Sequence, residues 1–145
     1  MTTHIVPEFT IATAIGAVVI AIIYIALTSL MKEPNRQKLS AIIVAGAGAV
    51  YWSGGLGVWE FVFGSVMLFI AYKGLTHYYF IGIGWLMHTS WDIVHHLYAN
   101  PIVYLNPSSS AGCAVCDTIL AIWFFYKAPS IYEWFRKSKT DNIKA

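Results

Sequence analysis

The longest apolar segment of the chain, residues 9–31, limits what the protein can fold into more than any other feature. It contains no charged side chain, and a helix of about 20 such residues is long enough to cross the ~30 Å hydrocarbon core of a bilayer. The residues before it include no Lys or Arg, whereas a secretory signal peptide begins with a basic region. The segment therefore predicts a transmembrane helix that is retained in the mature protein.

The rest of the sequence is also strongly apolar. Hydrophobic residues make up 58% of the 145 residues and charged residues 11%, and the mean hydropathy is +0.63, which is far from the composition of an average soluble domain. Short polar or Gly-rich breaks divide the chain into further apolar segments. The five predicted spans are residues 9–31, 39–53, 58–72, 78–98 and 111–126. We therefore expect a single all-α membrane domain, in which five transmembrane helices form a compact bundle.

The basic residues predict the orientation of this bundle. If the N-terminus lies outside, five spans place all nine Lys and Arg residues on the cytoplasmic side, as the positive-inside rule requires. A four-span alternative, in which residues 53–57 are a kink within one helix, puts the basic tail and the first basic loop on opposite sides and is rejected. Residues 127–145 are predicted to be a cytoplasmic tail with a short amphipathic segment at the membrane surface.

These patterns predict a multi-pass protein of the cell (inner) membrane whose main partner is the lipid bilayer. Nine basic residues in so apolar a chain are too few to form a nucleic-acid-binding stripe. Homo-oligomerisation stays open, because nothing in the sequence decides it.

Ionisable residues within the predicted spans are the candidates for a functional site, since a charged side chain at mid-membrane costs roughly 2.5–3.5 kcal/mol on insertion scales. The fourth and fifth spans each carry three of them at helical spacing, so that each set shares one face. These residues are His88, Asp92 and His95 in the fourth span and Cys113, Cys116 and Asp117 in the fifth. Because the fourth span runs outward and the fifth runs inward, we expect the two faces to meet in the outer half of the membrane.

Imidazole, thiolate and carboxylate groups are ligands for transition metals, and this mixture favours zinc over iron or copper. The six residues are therefore candidate metal ligands. A coordination position left open to water would produce a hydroxide for hydrolysis, here of a lipid or other apolar substrate near the outer leaflet. Asp92, His96 and Glu60 are the candidate catalytic groups. Glu60 begins the third span on the same side of the membrane.

Four alternatives stay open, and the simplest is that the six residues form a purely structural polar network. Cys113 and Cys116, spaced as C-x-x-C, are typical of a thiol-disulfide oxidoreductase that exchanges electrons with a quinone. The same pair could instead form a structural disulfide that faces an oxidising periplasm. The His and Asp face could also belong to a non-enzymatic protein that handles ions or protons or assists assembly.

Three strings of the sequence resemble a known family. They are SGGLGVWE at residues 53–60, HTSWDIVHHLYANP at residues 88–101 and SSAGCAVCD at residues 109–117. These strings are similar to those of a family of small bacterial integral-membrane proteins catalogued as domain of unknown function 6010, over about residues 33–130. The resemblance implies a bacterial multi-span protein and transfers no catalytic role.

Overall fold

A computed structural model describes the chain as a bundle of helices. The described residues are 5–53, 55–134 and 136. In this part of the chain the α-helices are α1 (Ile11–Ser29), α2 (Asn35–Val50), α3 (Val58–Gly74), α4 (Tyr78–Leu97) and α5 (Ser109–Phe125), and a 3₁₀ turn at Tyr51–Ser53 follows α2. The predicted all-α class is confirmed for these residues. Of the predicted amphipathic tail, residues 131–134 are helical and residues 137–145 lie outside the described residues.

The helix ends differ from the predicted span limits for a physical reason. Helix α2 begins at Asn35, four residues before the predicted span, because hydropathy marks only the apolar part of a helix. Arg36 and Lys38 extend α2 beyond that part. The break between α2 and α3 falls where it was predicted, and it includes Gly57 at φ 67°, a backbone conformation that glycine adopts without steric cost.

Consecutive helices run in opposite directions. Near the start of α2, Gln37 Nε2 donates a 2.9 Å hydrogen bond to the carbonyl oxygen of Gly74 at the end of α3. Helix α1 lies beside α5 in the same direction, since Ser130, just after α5, donates from Oγ to the carbonyl oxygen of Ser29 at 3.0 Å. One end of the bundle, the site end, therefore holds the starts of α1, α3 and α5 and the ends of α2 and α4.

The opposite end, here called the basic end, carries the described Lys residues and a buried arginine. Arg36 Nε lies 2.6 Å from Glu33 Oε1, and the hydroxyl of Tyr78 donates to the same oxygen at 2.5 Å. The described Lys residues at this end are Lys32, Lys38, Lys73 and Lys127. The predicted clustering of basic residues on one side of the bundle is therefore present in the described part of the chain.

The bundle exposes many large apolar side chains and buries several charged ones within an apolar core. Large apolar residues are exposed along the outside, as with Ile11 and Ile20 of α1, which are 80% and 61% exposed. Among the apolar side chains of the interior lie Glu60 and Asp92, which are 1% and 0% exposed. Buried charges require partners, so the partners of these two carboxylates indicate what the interior can do.

Helix α1 is the described helix that is long and apolar enough to cross a membrane, judged by length and composition. Helices α2, α3 and α5 have 16 to 17 residues, which is short for a helix that crosses the whole hydrocarbon core of a bilayer. Helix α4 has 20 residues, but its polar side chains lower its hydropathy. The finding supports one candidate membrane helix.

Candidate metal centre

Helices α4 and α5 make the most extensive helix contact of the bundle, and they bring three polar side chains together near the site end. His88 and Asp92 lie one turn apart on α4, and Asp117 faces them from α5. All three are buried. Because the two helices are antiparallel, the C-terminal half of α4 lies beside the N-terminal half of α5, which is the juxtaposition that the sequence predicts.

The Nδ1 atom of His88 is the centre of this cluster. It lies 2.6 Å from Oδ2 of Asp117 and 3.2 Å from Oδ2 of Asp92. Ligand atoms of the three residues all lie within 4.8 Å of one another, and the group could hold a metal ion. His88, Asp92 and Asp117 are therefore the candidate metal centre.

The other ring nitrogen of His88 determines where its proton lies. Nε2 is 3.1 Å from the carbonyl oxygen of Ala47 on α2, and a carbonyl oxygen only accepts, so Nε2 must donate. In a neutral imidazole the lone pair of Nδ1 then faces two carboxylate oxygens, and three acceptors converge. Such an arrangement needs a cation, which is either a metal ion or a proton held on His88, Asp92 or Asp117.

Tyr51, in the turn after α2, supports the cluster from one side. Its hydroxyl donates to Oδ1 of Asp92, and its ring packs against the imidazole of His88 with centroids 5.2 Å apart. A donor on one oxygen of Asp92 leaves the other oxygen directed at His88. Partners of this kind orient the ligands in metal sites.

Glu60 and His95 form a second cluster, in which the carboxylate is surrounded by donors. Glu60 Oε1 accepts from the backbone N–H groups of Gly55 and Leu56 at 3.3 and 3.0 Å, and Oε2 accepts from Trp91 Nε1 at 3.0 Å. His95 Nε2 lies 2.8 Å from Oε1. These contacts satisfy the buried charge and hold the start of α3 against α4.

The other candidate residues lie outside the group around His88. Cys113 and Cys116 are free thiols, and both line a cavity between α1 and α5 that also reaches Asp117. Among the described residues, neither sulfur joins the group that could hold a metal. His96 lines an apolar groove on another face of α4 and α5, next to Thr89.

The predicted set of six metal ligands is thus divided three ways. Three of the residues meet around one nitrogen, His95 is paired with a carboxylate, and the two cysteines border a cavity. Of the three candidate catalytic groups, Asp92 is in the cluster, Glu60 is beside it, and His96 is not brought to it.

Sequence patterns did not point to Tyr51 or to the carbonyl of Ala47. Both belong to the predicted second span, residues 39–53, which carries no Asp, Glu, His or Cys, so hydropathy gave no reason to examine it. The available signal is their spacing, since residues four apart share one face of a helix. That signal becomes informative only once α2 is known to pack against α4.

Comparison with known proteins bears on the family and not on the chemistry. Over residues 12–130 the chain matches the model of a family described as a family of unknown function, DUF6010. The chain matches no curated protein and no solved structure. The matched region contains the cluster around His88 and both cysteines. Because the match covers most of its length, the chain belongs to the DUF6010 family of unknown function.

Proposed function

We propose that this protein is a multi-pass membrane metalloprotein that hydrolyses a lipid or other apolar substrate at a centre formed by His88, Asp92 and Asp117. The observation that carries the proposal is the environment of His88. Its Nε2 is committed to the carbonyl oxygen of Ala47, while its Nδ1 faces the Oδ2 atoms of both carboxylates.

The charge of these donors favours a divalent ion, and zinc is the ion that we propose. A divalent ion balances the charge of two buried carboxylates, which would otherwise be costly to keep ionised. One imidazole nitrogen and two carboxylate oxygens also provide three protein ligands and leave the fourth tetrahedral position for water, as in catalytic zinc sites. The Tyr51 hydroxyl on Asp92 supplies the kind of outer contact that tunes such a ligand.

The hydrolytic step uses water as the second reactant. A zinc ion held by His88, Asp92 and Asp117 would supply hydroxide from water at neutral pH. In the reaction that such a centre would support, the water oxygen bonds to the acyl carbon of an ester or amide, and the bond from that carbon to the alcohol oxygen or amine nitrogen breaks. The proton that the water loses goes to the leaving group. The products are a carboxylic acid and an alcohol or amine.

The membrane part of the proposal is supported by the surface of the bundle. Apolar side chains such as Ile11 and Ile20 are exposed, α1 is long enough to span a bilayer, and the described Lys residues share the basic end. Short helices remain compatible with a multi-pass arrangement if their ends lie slightly below the membrane surface.

Metal analysis of the purified protein tests the centre. We expect about one equivalent of a divalent transition metal per chain, as for a mononuclear site, together with hydrolysis of lipid esters or amides that chelator removes and zinc restores. His88→Ala should lose both. Glu8→Gln, which removes an exposed carboxylate before α1, is the control and should keep both. A folded wild-type protein that takes up no metal from excess zinc would overturn the proposal.

Extraction of membranes at alkaline pH tests the multi-pass arrangement. We expect the protein to stay with the lipid, because its exposed surface is apolar on several helices. Release into the aqueous supernatant would contradict membrane integration while leaving the metal result to stand by itself.

A further inference from the structure

The cavity between α1 and α5 has a volume of about 450 Å³, and the residues that line it differ between the site end and the interior of the bundle. At the site end its wall is polar, with the side chains of Thr13, Asn106 and Ser109. Deeper in the bundle, Ile20 lines one wall and Asp117 another. Ser109 and Asp117 are separated by ~12 Å along α5 at ~1.5 Å per residue, so the cavity leads from the end of the bundle down to the candidate metal centre.

Asp117 is the direct connection between this cavity and the centre. One of its carboxylate oxygens lies 2.6 Å from His88 Nδ1, and the residue also lines the cavity. A molecule in the cavity would therefore contact one residue of the candidate centre.

We propose that this cavity binds a lipid ester or amide with an uncharged polar headgroup. The headgroup lies among Thr13, Asn106 and Ser109, the ester or amide carbonyl lies beside Asp117, and the acyl chain leaves the cavity over Ile20. Ile20 is 61% exposed on the outside of α1, where the surrounding lipid would begin. The proposal rests on the proposed function for the fate of the bound lipid, although binding itself does not require the metal.

The lining favours an uncharged headgroup over a phosphate. The polar groups at the site end are hydroxyls and an amide, which match the hydroxyl or amide of a neutral lipid. The described lining contains no Lys or Arg that could pair with a phosphate. At the start of α5, the loop itself takes up two N–H groups, since Ser109 N donates to the carbonyl oxygen of Asn106 at 3.0 Å and Ser108 N donates to its side chain at 3.3 Å.

Two glycines provide a matched pair of variants. Gly16 lines the cavity, and a Cβ atom added there meets nothing within 4 Å. A Cβ atom at Gly46 on α2 also meets nothing within 4 Å, but Gly46 is not among the residues lining the cavity. Replacing either glycine by leucine favours the helix, so both variants should fold. Gly16→Leu should fill the cavity, and Gly46→Leu should leave it unchanged.

The thiol of Cys113 reports occupancy, because it is half-buried and lines the cavity. The experiment measures the rate at which a maleimide labels the wild-type protein with and without monooleoylglycerol or its phosphate-bearing counterpart, oleoyl lysophosphatidylglycerol. At about ten times its Kd, monooleoylglycerol should slow labelling about tenfold, and the phospholipid should protect much less. Gly46→Leu should behave as wild type, whereas Gly16→Leu should show no lipid-dependent protection.

Each other result overturns a defined part of the proposal. Equal protection by both lipids would exclude the uncharged headgroup. Protection that persists in Gly16→Leu would exclude this cavity, and absence of protection by either lipid would exclude lipid binding there. Metal content is measured on the same samples. Lipid protection without bound metal would contradict only the proposed hydrolysis, whereas metal without protection would contradict only the lipid site.

Discussion

The bundle contains two buried clusters of carboxylate and imidazole, about one helical turn apart on α4, and they differ in how the charge is compensated. At Glu60, backbone and indole N–H groups surround the carboxylate, and His95 lies 2.8 Å away. At Asp92 and Asp117, two carboxylates converge on one imidazole nitrogen. Both oxygens of Glu60 accept from N–H groups, and one proton on His95, whose Nδ1 lies 3.3 Å from the carbonyl oxygen of Asn100, completes the first cluster. In the second cluster two carboxylates share one imidazole nitrogen, which leaves an excess of acceptors.

The difference teaches how to separate a structural polar cluster from a functional one. A buried carboxylate with enough donors is stable as it stands and gains little from a ligand. An excess of buried acceptors is destabilising unless a cation binds between them. Metal binding would therefore supply the positive charge that the protein's own side chains do not provide. The two clusters should therefore respond to mutation in opposite ways.

The largest expected effect is loss of metal binding in Asp117→Asn. The variant keeps the size of the side chain but replaces one ligand oxygen by an amide that can donate to His88 Nδ1, so zinc affinity should fall by more than the ~100-fold that loss of an outer contact costs. A competition titration with a chromophoric chelator measures this. Glu60→Gln is the control and should keep zinc affinity close to wild type. Equal losses in the two variants would remove the distinction between the clusters.

The free energy of unfolding should respond in the reverse order, with a larger loss at Glu60 than at Asp117. Glu60→Ala leaves the N–H groups of Gly55, Leu56 and Trp91 without their acceptor, and we expect a loss of about 3–5 kcal/mol in the free energy of unfolding. Reversible unfolding in detergent measures it. The metal-free Asp117→Asn protein should be at least as stable as the metal-free wild type, because an excess acceptor has been removed. A larger stability loss in Asp117→Asn than in Glu60→Ala would contradict this account.

A smaller effect is expected from Tyr51→Phe. The variant keeps the ring that packs against His88 and removes the hydroxyl that donates to Asp92, so zinc affinity should fall about 10–100-fold. The chelator titration and the unfolding measurement are made on the same preparation. A variant that loses stability but keeps full zinc affinity would show that Tyr51 only packs, and does not orient Asp92.

The smallest effect is expected at the basic end. Tyr78→Phe removes one of the donors to Glu33, while Arg36 still pairs with it, so the free energy of unfolding should fall by about 0.5–1.5 kcal/mol. Zinc affinity should not change, since this end of the bundle lies far from the cluster. A change in zinc affinity would show that the basic end and the cluster around His88 are coupled, and would contradict the account.

Much of the candidate centre follows from the sequence. Helical periodicity puts His88 and Asp92 on one face, and the opposite directions of α4 and α5 bring Asp117 to the same depth. Neither argument depends on the rotamers of the side chains. They bring the two polar faces together because α4 and α5 are consecutive and antiparallel, but they do not select three of the six candidate ligands.

The partners of each side chain could not be predicted in this way. His95 shares a face with His88, yet it lies beside Glu60, because the turn before α3 directs the backbone N–H groups of Gly55 and Leu56 at that carboxylate. The pairing of His95 with Glu60 depends on the turn containing Gly57 and on the packing of α3. Neither feature produces a periodic pattern in the sequence. Hydropathy likewise did not indicate a role for Tyr51. The position of the two cysteines on the cavity is determined by the rotation of α5 relative to α1, which the sequence does not give.

X-ray absorption at the zinc edge of the zinc-loaded protein tests the central claim most directly, because nitrogen and oxygen ligands are distinguished from sulfur by distance. The account predicts scatterers at about 2.0–2.2 Å, from an imidazole nitrogen and carboxylate or water oxygens, and no shell at about 2.3 Å. A sulfur shell at about 2.3 Å would mean that Cys113 or Cys116 binds the metal, and would contradict a centre built from His88, Asp92 and Asp117.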